Sequence, residues 1–496
     1  MYMNAAALLR STLLLAAGDV FLRGVTLGFQ MYLAGKIGSQ GLGIFGLISS
    51  LYMIFVTISI SGIRFCVTRL ASEEIAAGNR HPRGLIKAAL FYGAFFSSAA
   101  ALSLFYLSDA LSRRWIVEKY AALPLRILSF SLPFTMIFSV LDGYFTAKQK
   151  IRRSVFIGIF ARLTDILCVV LLFKNAALRS HPCDVLTLGT LVGEITAALC
   201  ALVFYFCGIL KKSDSKTVFC YFPRILKVAL PLAISAYMRT GLSCAGHMII
   251  PYGLRKAGMG VGGALSTYGL IHQMALPVIM FPAAVLVSLA DIIIPRLTHA
   301  QVEGGTKSIS YISGRCMRVG FMFSMGIFGI MFFYGEFLGK LFFNSFEAGL
   351  YIRLLSFVIP IIYCDCVTDC CLKGLGQQLY CMLLNVAEAV INIVMLFFLL
   401  PRFAILGYLI TMFVKEIFNA YFSLMRLRKL TVLHFDISIF FAGALAVTGA
   451  RLCALSLSFV PIASAVSYAV FYVLILYALN KFTRSDLRWL YSLIAK

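Results

Sequence analysis

The nonapeptide LRILSFSLP, residues 125–133, returns as IRLLSFVIP, residues 352–360, with Arg, Leu, Ser, Phe and Pro matched at a constant separation of 227. The same register pairs Asp142 with Asp369, Asp165 with Asn392, and Arg69-Leu70 with Arg296-Leu297. A separation held over that distance is the mark of a duplicated module. It predicts one copy in residues 1–216, a second in 217–430, and a remainder in 431–496. In each copy the arginine, Arg126 or Arg353, is followed seven residues later by a proline, which lacks an N–H and kinks a helix.

Composition decides the solvent. The chain is 61% hydrophobic and 13% charged, with a mean hydropathy of +0.93, so its apolar runs read as membrane spans. Fourteen are expected, at 8–35, 43–70, 84–107, 120–146, 154–174, 185–210, 225–251, 263–295, 315–338, 350–372, 379–400, 404–424, 437–459 and 461–480. Each approaches or exceeds the roughly 20 residues that cross hydrocarbon as a helix. Helix is required, because hydrocarbon cannot satisfy exposed backbone groups and the alternation of a membrane barrel is absent. The expectation is an all-α integral membrane protein: two six-helix repeats forming a V-shaped pair of lobes around a central cavity, plus two C-terminal helices. Such lobes can rock to open the cavity to alternate sides.

The first span lacks a short apolar core followed by a cleavage site and is read as a retained helix. With the N-terminus inside, most of the 44 Lys and Arg fall at cytoplasmic ends and loops, among them Arg80, Arg83, Lys148, Lys150, Lys211, Lys212 and Lys216. Both termini are therefore expected in the cytoplasm and the chain in the cell membrane. This orientation, and contact with anionic lipid, accounts for the net charge of +24 without a nucleic-acid partner. The fourteen cysteines lie mostly within spans, as small apolar residues do. Cys364, Cys366, Cys370 and Cys371 would spread around one helix too widely for a metal site, so no metal is expected.

No polar stretch is long enough for a folded catalytic unit, and no enzyme activity or catalytic residue is expected. GLGIFG, residues 41–46, fits a dinucleotide fingerprint literally but lies between membrane helices, where it reads as a tight external turn. Gly24 and Gly28, four apart on span 1, are expected at a close helix contact.

Charges inside the spans carry the functional signal. An arginine at the bilayer centre costs at least about 2.5–3.5 kcal/mol and so faces a partner or a watery cavity. Arg23 on span 1 and Arg239 on span 7 both lie about 20 Å from the inner end at 1.5 Å per residue. With Arg64 on span 2 they would make a cationic cavity suited to forked hydrogen bonds with phosphate oxygens, Asp19 positioning Arg23 from one turn away. Arg162 and Asp165 share a helix face and read as an internal ion pair, and His247 and His272 as polar helix contacts. Arg126 and Arg353, at the external ends of spans 4 and 10, are expected as a paired outer gate. Asp142 and Asp369, near the cytoplasmic ends, are expected in solvated gating contacts. Arg451 is expected to snorkel outward.

The stretch GSQGLGIFGLISSLYMIFVTISISGIRFCVTRLASEE (38–74), with LKGLGQQ (372–378) and LLPRFAILGY (399–408), resembles the stage V sporulation protein B-like branch of the multidrug/oligosaccharidyl-lipid/polysaccharide (MOP) exporter superfamily. The resemblance implies two six-helix lobes and a further helix pair. It also implies a flippase moving an undecaprenyl-diphosphate-linked sugar precursor to the outer leaflet, lipid II or a related cell-wall, spore-cortex or polysaccharide intermediate. Lipid-linked oligosaccharide and membrane lipids are then the partners, with wall-synthesis enzymes beside them. No cofactor is implied beyond a coupling ion, sodium or a proton, or the membrane potential. Some relatives bind sodium between spans 7, 11 and 12, where Asn385, Glu388, Asn392 and Thr411 offer oxygens in this chain. Two departures stand out: lipid II flippases carry Arg-Asp on span 1, where Arg23 is followed by Gly24, and many relatives have Pro where this chain has Arg64. The alternatives are a drug or organic-cation antiporter of the same superfamily, a non-transporting scaffold in wall synthesis, and a membrane transferase.

Overall fold

The computed structural model describes residues 5–77, 82–113, 121–175, 181–207, 218–432, 438–455, 461–486 and 488–489, without the side chains of 5–17, 19, 151, 218–220 and 291. Among these residues there is no strand. The helices are α1 (Ala5–Ile60), α2 (Ile63–Ala76), α3 (Arg83–Leu111), α4 (Ala122–Ser129), α5 (Leu132–Ala147), α6 (Ile151–Leu172), α7 (Pro182–Cys207), α8 (Val218–Lys256), α9 (Val261–Gly269), α10 (Leu276–Met280), α11 (Ala283–Val302), α12 (Thr306–Phe343), α13 (Phe346–Leu355), α14 (Ile359–Gly374), α15 (Gln378–Leu430), α16 (Ser438–Ala454) and α17 (Pro461–Ala478).

Among the described residues, 10 helices are long and apolar enough to cross a membrane, and 11 if α4 and α5 form one bent span. Two of these are double. α1 turns at Gly38, whose φ of +67° is open to glycine at little cost, and α15 turns at Ala404. With those divisions and the shorter apolar α16, the helical segments follow the fourteen expected spans. Large apolar side chains such as Phe91, Phe95 and Tyr106 are exposed on the outer faces, as lipid permits.

Contacts divide the chain into two units, residues 40–252 and residues 1–39 with 253–496. This grouping follows contact, whereas the divisions 1–216, 217–430 and 431–496 follow the repeat. In the 40–252 unit the core joins Ile63, Val67 and Leu70 of α2 to Leu85 and Tyr92 of α3, Leu141 and Phe145 of α5, and Ile225 and Ala229 of α8. The second expected span is interrupted at Ser61-Gly62. Gly62 has φ +71°, and a Cβ there would lie 2.7 Å from the Ala229 carbonyl oxygen, so α2 and α8 approach through the bare backbone. In the other unit, α16 and α17 pack on α12. Gly326 and Gly329 of α12 leave room for the rings of Tyr472 and Tyr468, and Tyr472 donates to the Met322 carbonyl at 2.7 Å. Gly24 and Gly28 do not behave as expected: a Cβ at Gly24 would meet Phe281 at an ordinary 3.8 Å, and one at Gly28 would meet nothing within 4 Å.

The repeated nonapeptide breaks its helix in both copies. α4 and α5 meet at 42° around Phe130-Ser131, and a short 3-10 turn, Ser356–Val358, separates α13 from α14. Pro133 and Pro360 cannot donate to the carbonyls of Ser129 and Ser356, four residues earlier. Those two serines turn their hydroxyls to the carbonyls of Arg126 and Arg353, at 2.7 and 2.6 Å. From the neighbouring helix, Ser59 donates to the Leu132 carbonyl at 3.0 Å and Tyr52 meets the Ser131 hydroxyl at 2.6 Å, supporting the first break.

Candidate functional site

Arg239 lies on α8 and Arg64 at the start of α2, both in the 40–252 unit, while Arg23 lies on α1 in the other. Arg23 and Arg239 are exposed, and neither is paired with a carboxylate among the described residues. The Asp19 side chain lies outside the described residues, as do Arg80, Lys211, Lys212 and Lys216.

Arg64 is committed elsewhere. Its Nε lies 2.6 Å from Asp142 Oδ2, and the Asp142 carboxylate also accepts a hydrogen bond from Ser154. This joins α2, α5 and α6. The solvated contact expected of Asp142 is therefore not what the structure holds, since the residue is 4% exposed. A carboxylate with two donors can be buried where an unpaired one could not. At the equivalent position, Asp369 pairs with Lys373 on its own helix at 3.2 Å, and Cys381, in register with Ser154, faces it.

Arg126 and Arg353 make the same contacts as each other. Arg126 bonds Asp109 at 2.5 Å and lies over the Phe105 ring at 5.6 Å; Arg353 bonds Glu336 at 2.9 Å and lies over Phe332 at 5.1 Å. All three partners are related by the separation of 227. Each arginine thus clasps the preceding span to its own within one unit.

Arg162 and Asp165 pair as expected, at 2.6 Å. His272 is a helix contact: it stacks on Tyr268 at 4.7 Å, and its Nε2 lies 3.2 Å from the Tyr408 hydroxyl. It sits in a π-helical turn, Leu270–Ala275, that precedes Pro277. Arg451 points inward instead of snorkelling, donating to the Tyr334 hydroxyl at 3.2 Å and lying over the Phe333 ring.

Of the residues named for an ion, Thr411 donates to the Gly407 carbonyl of its own helix at 2.8 Å, and Asn385 and Asn392 are half-buried on α15. Glu388 has a partner that the sequence reading passed over, Lys415, whose Nζ lies 3.0 Å from Glu388 and 2.7 Å from Glu416. Beside this triad Asn419 donates to Asp365 at 2.9 Å. The signal available was VKEIFN, residues 414–419, polar groups inside an otherwise apolar run.

An apolar cleft of about 680 Å³ lies between α12 and α17, lined by Phe337, Leu338, Leu341, Val466, Val470 and Val473.

These helices and breaks have known counterparts. Residues 26–171 match the MatE family model. Over nearly its whole length the chain superposes on the lipid II flippase MurJ in an inward closed conformation, with TM-score 0.74 and 12% identity, covering 94% of this chain and 99% of that one. The chain has the fold of the MOP exporter superfamily. It also superposes on the MATE multidrug transporter DinF-BH, with TM-score 0.63 and 15% identity, covering 88% of this chain and 97% of that one. Stage V sporulation protein B of Bacillus subtilis (strain 168) is 20% identical over 409 residues, 79% of this chain and 78% of its own length. The MOP-fold chain described here therefore has both flippases and drug transporters among its structural neighbours.

Proposed function

We propose that this MOP-fold chain is a flippase carrying an undecaprenyl-diphosphate-linked sugar precursor, lipid II or a related wall, spore-cortex or polysaccharide intermediate, from the inner to the outer leaflet by alternating access. The observation that carries the reading is the pair of exposed mid-span arginines, Arg23 and Arg239, without carboxylate partners among the described residues. A guanidinium in that position is costly unless it meets an anion, and a diphosphate leaving water is costly unless it meets cations; each offsets the other. Arg23 and Arg239 would hold the diphosphate, with Arg64 at the cytoplasmic approach releasing or keeping Asp142 as the lobes move. The polyprenyl tail would stay in lipid, with the cleft between α12 and α17 as an apolar path beside it. The likeness to MurJ and to stage V sporulation protein B supports this direction. The two six-helix copies would form the rocking lobes, with the clasps at Arg126 and Arg353 keeping each outer end rigid. Both termini would be cytoplasmic, and wall-synthesis enzymes would supply and take up the substrate.

One observation favours a second reading, export of organic cations: the carboxylates Asp365, Glu388 and Glu416 gather within one unit. The test is reconstitution into liposomes with fluorescent lipid II, scored by accessibility of the head group to an external quencher. The flippase reading expects transfer by wild type and its loss in Arg23→Ala/Arg239→Ala. Transfer that survives the double substitution would remove Arg23 and Arg239 from the head-group site, and dye export without lipid II transfer would move the assignment to the cation antiporter; neither activity would leave a scaffold.

A further inference from the structure

Lys415 occupies an unusual place for an ammonium group. It lies within the second half of α15, in an apolar run, and is shared between Glu388 from the first half of that helix at 3.0 Å and Glu416 at 2.7 Å. The lysine and glutamate side chains are 12–22% exposed. One turn further on, Asn419 donates to Asp365 Oδ2 at 2.9 Å. Its own Oδ1 and the Asp365 Oδ1 are buried without a hydrogen-bond partner, in residues 5% and 9% exposed. The cluster is lined by oxygens, and the ammonium is its cation.

The duplication supplies a comparison within the same chain. VKEIFNA, residues 414–420, matches VGEITAA, residues 192–198, with Val, Glu, Ile and Ala in step across a shorter inter-span connection. Glu416 thus corresponds to Glu194, while Lys415 stands where the first copy has Gly193 and Asn419 where it has Ala197. In the register of 227, Glu388 stands at Ala161 and Asp365 at Phe138. The correspondence is spatial too: a Cβ on Gly193 would lie 3.2 Å from the Ala161 carbonyl, the spot where the second copy places Lys415 against Glu388. The first copy keeps Glu194 beside close-packed backbone, with Asp165 next to Gly193 and already paired to Arg162 on its own helix. The second copy instead places a cation, Lys415, directly between two carboxylates.

We propose that Glu388 and Glu416 form a monovalent-cation site and that the Lys415 ammonium is its tethered occupant. An ammonium with three donors between two carboxylates fills the position of a metal cation coordinated by hard oxygen ligands. Because the occupant is covalently part of the helix, sodium and potassium have no place to bind there while Lys415 is present. The inference holds whichever head group is carried.

The experiment uses the full-length protein in detergent, with thermal unfolding followed in sodium, potassium and choline chloride at equal ionic strength. Wild type should melt at one temperature in all three salts. Lys415→Met leaves two carboxylates without their cation; it should melt several degrees lower in choline and recover along a saturating curve as sodium or potassium replaces choline. Lys415→Arg, which keeps the charge, and Glu388→Gln, which keeps the ammonium, should both be indifferent to the salt. A saturable sodium or potassium response in wild type or Glu388→Gln overturns the proposal, and those arms stand even if Lys415→Met does not accumulate. A Lys415→Met protein equally destabilised in every salt overturns it as well.

Discussion

Arg64 and Asp142 are the two ends of one ion pair in different surroundings, and that makes their truncations unequal. The guanidinium side chain is 54% exposed and the carboxylate 6%, with 2.6 Å between Nε and Oδ2. Unit charges that close attract by roughly 6 kcal/mol at an effective dielectric of about 20, and desolvation of the carboxylate consumes much of this. Arg64→Ala strands a buried carboxylate whose other donor is Ser154. The cost should approach the lower end of the roughly 3–5 kcal/mol for breaking a buried pair. Asp142→Asn keeps an acceptor for Ser154 and frees a guanidinium already half in solvent, a loss of about 1 kcal/mol. In thermal unfolding of the purified protein, Arg64→Ala should therefore melt well below Asp142→Asn. Arg64→Ala/Asp142→Asn should recover most of the Arg64→Ala loss, because no charge is left stranded. If Asp142→Asn melts as low as Arg64→Ala, or the double variant sums both losses, the carboxylate is not the buried partner and the reasoning fails.

Gly339→Ala would place a methyl 2.3 Å from the Gly349 backbone nitrogen, so α12 and α13 must separate at a cost of about 1–3 kcal/mol or more, whereas Gly28→Ala meets open space and should be neutral or slightly stabilising; size-exclusion after a heat step ranks the two. Burial, with Lys150 and Arg153 beside it, pushes the Lys148 ammonium down from 10.5 to about 8. Folding thus penalises its charged form, fully below about 8 and progressively less as pH rises toward 10.5. Near pH 8, Lys148 should be acylated ahead of exposed lysines by peptide mass spectrometry, and Lys150→Gln should slow it; a rate no faster than that of Lys307 contradicts this. Arg126→Ala and Arg353→Ala each remove an exposed ion pair and a ring contact, and each should cost about 1–2 kcal/mol in unfolding assays; a large inequality would mean that the two clasps are not equivalent.

The helices were legible because hydrocarbon leaves the backbone one solution, so a run of apolar residues fixes both the element and its length. The breaks at Phe130-Ser131 and Ser356–Val358 were legible for a similar reason: the proline that follows each, Pro133 or Pro360, removes one donor regardless of context. What the sequence could not show was which charges meet. Arg64 carries no mark that its partner is Asp142, 78 positions away, since that depends on how α2 packs against α5. Arg126 and Arg353 could be placed at external ends by counting, but Asp109 and Glu336, on the preceding spans, enter only once helix azimuth is known. Lys415 is as visible in VKEIFN as Arg23 is in its span, but that it lies between Glu388, 27 positions earlier, and Glu416 depends on how the two halves of α15 pack.

The duplication separates two kinds of polar group in this membrane. Burying a charge in a span costs free energy in either copy, so a polar contact present in both serves something both need. The clasps at Arg126 and Arg353 meet that description, as do the serines that cap the broken helices and the carboxylates Asp142 and Asp369, each held by a cation. They brace the repeated frame. A polar group present in one copy cannot be explained by the frame, because the other copy folds with Ala161, Gly193 and Ala197 in its place. Glu388, Lys415 and Asn419 are of this second kind, and they lie together. If the two copies move as lobes around a shared cavity, these single-copy charges are where the copies stop being interchangeable, and where the direction of the cycle has a physical basis.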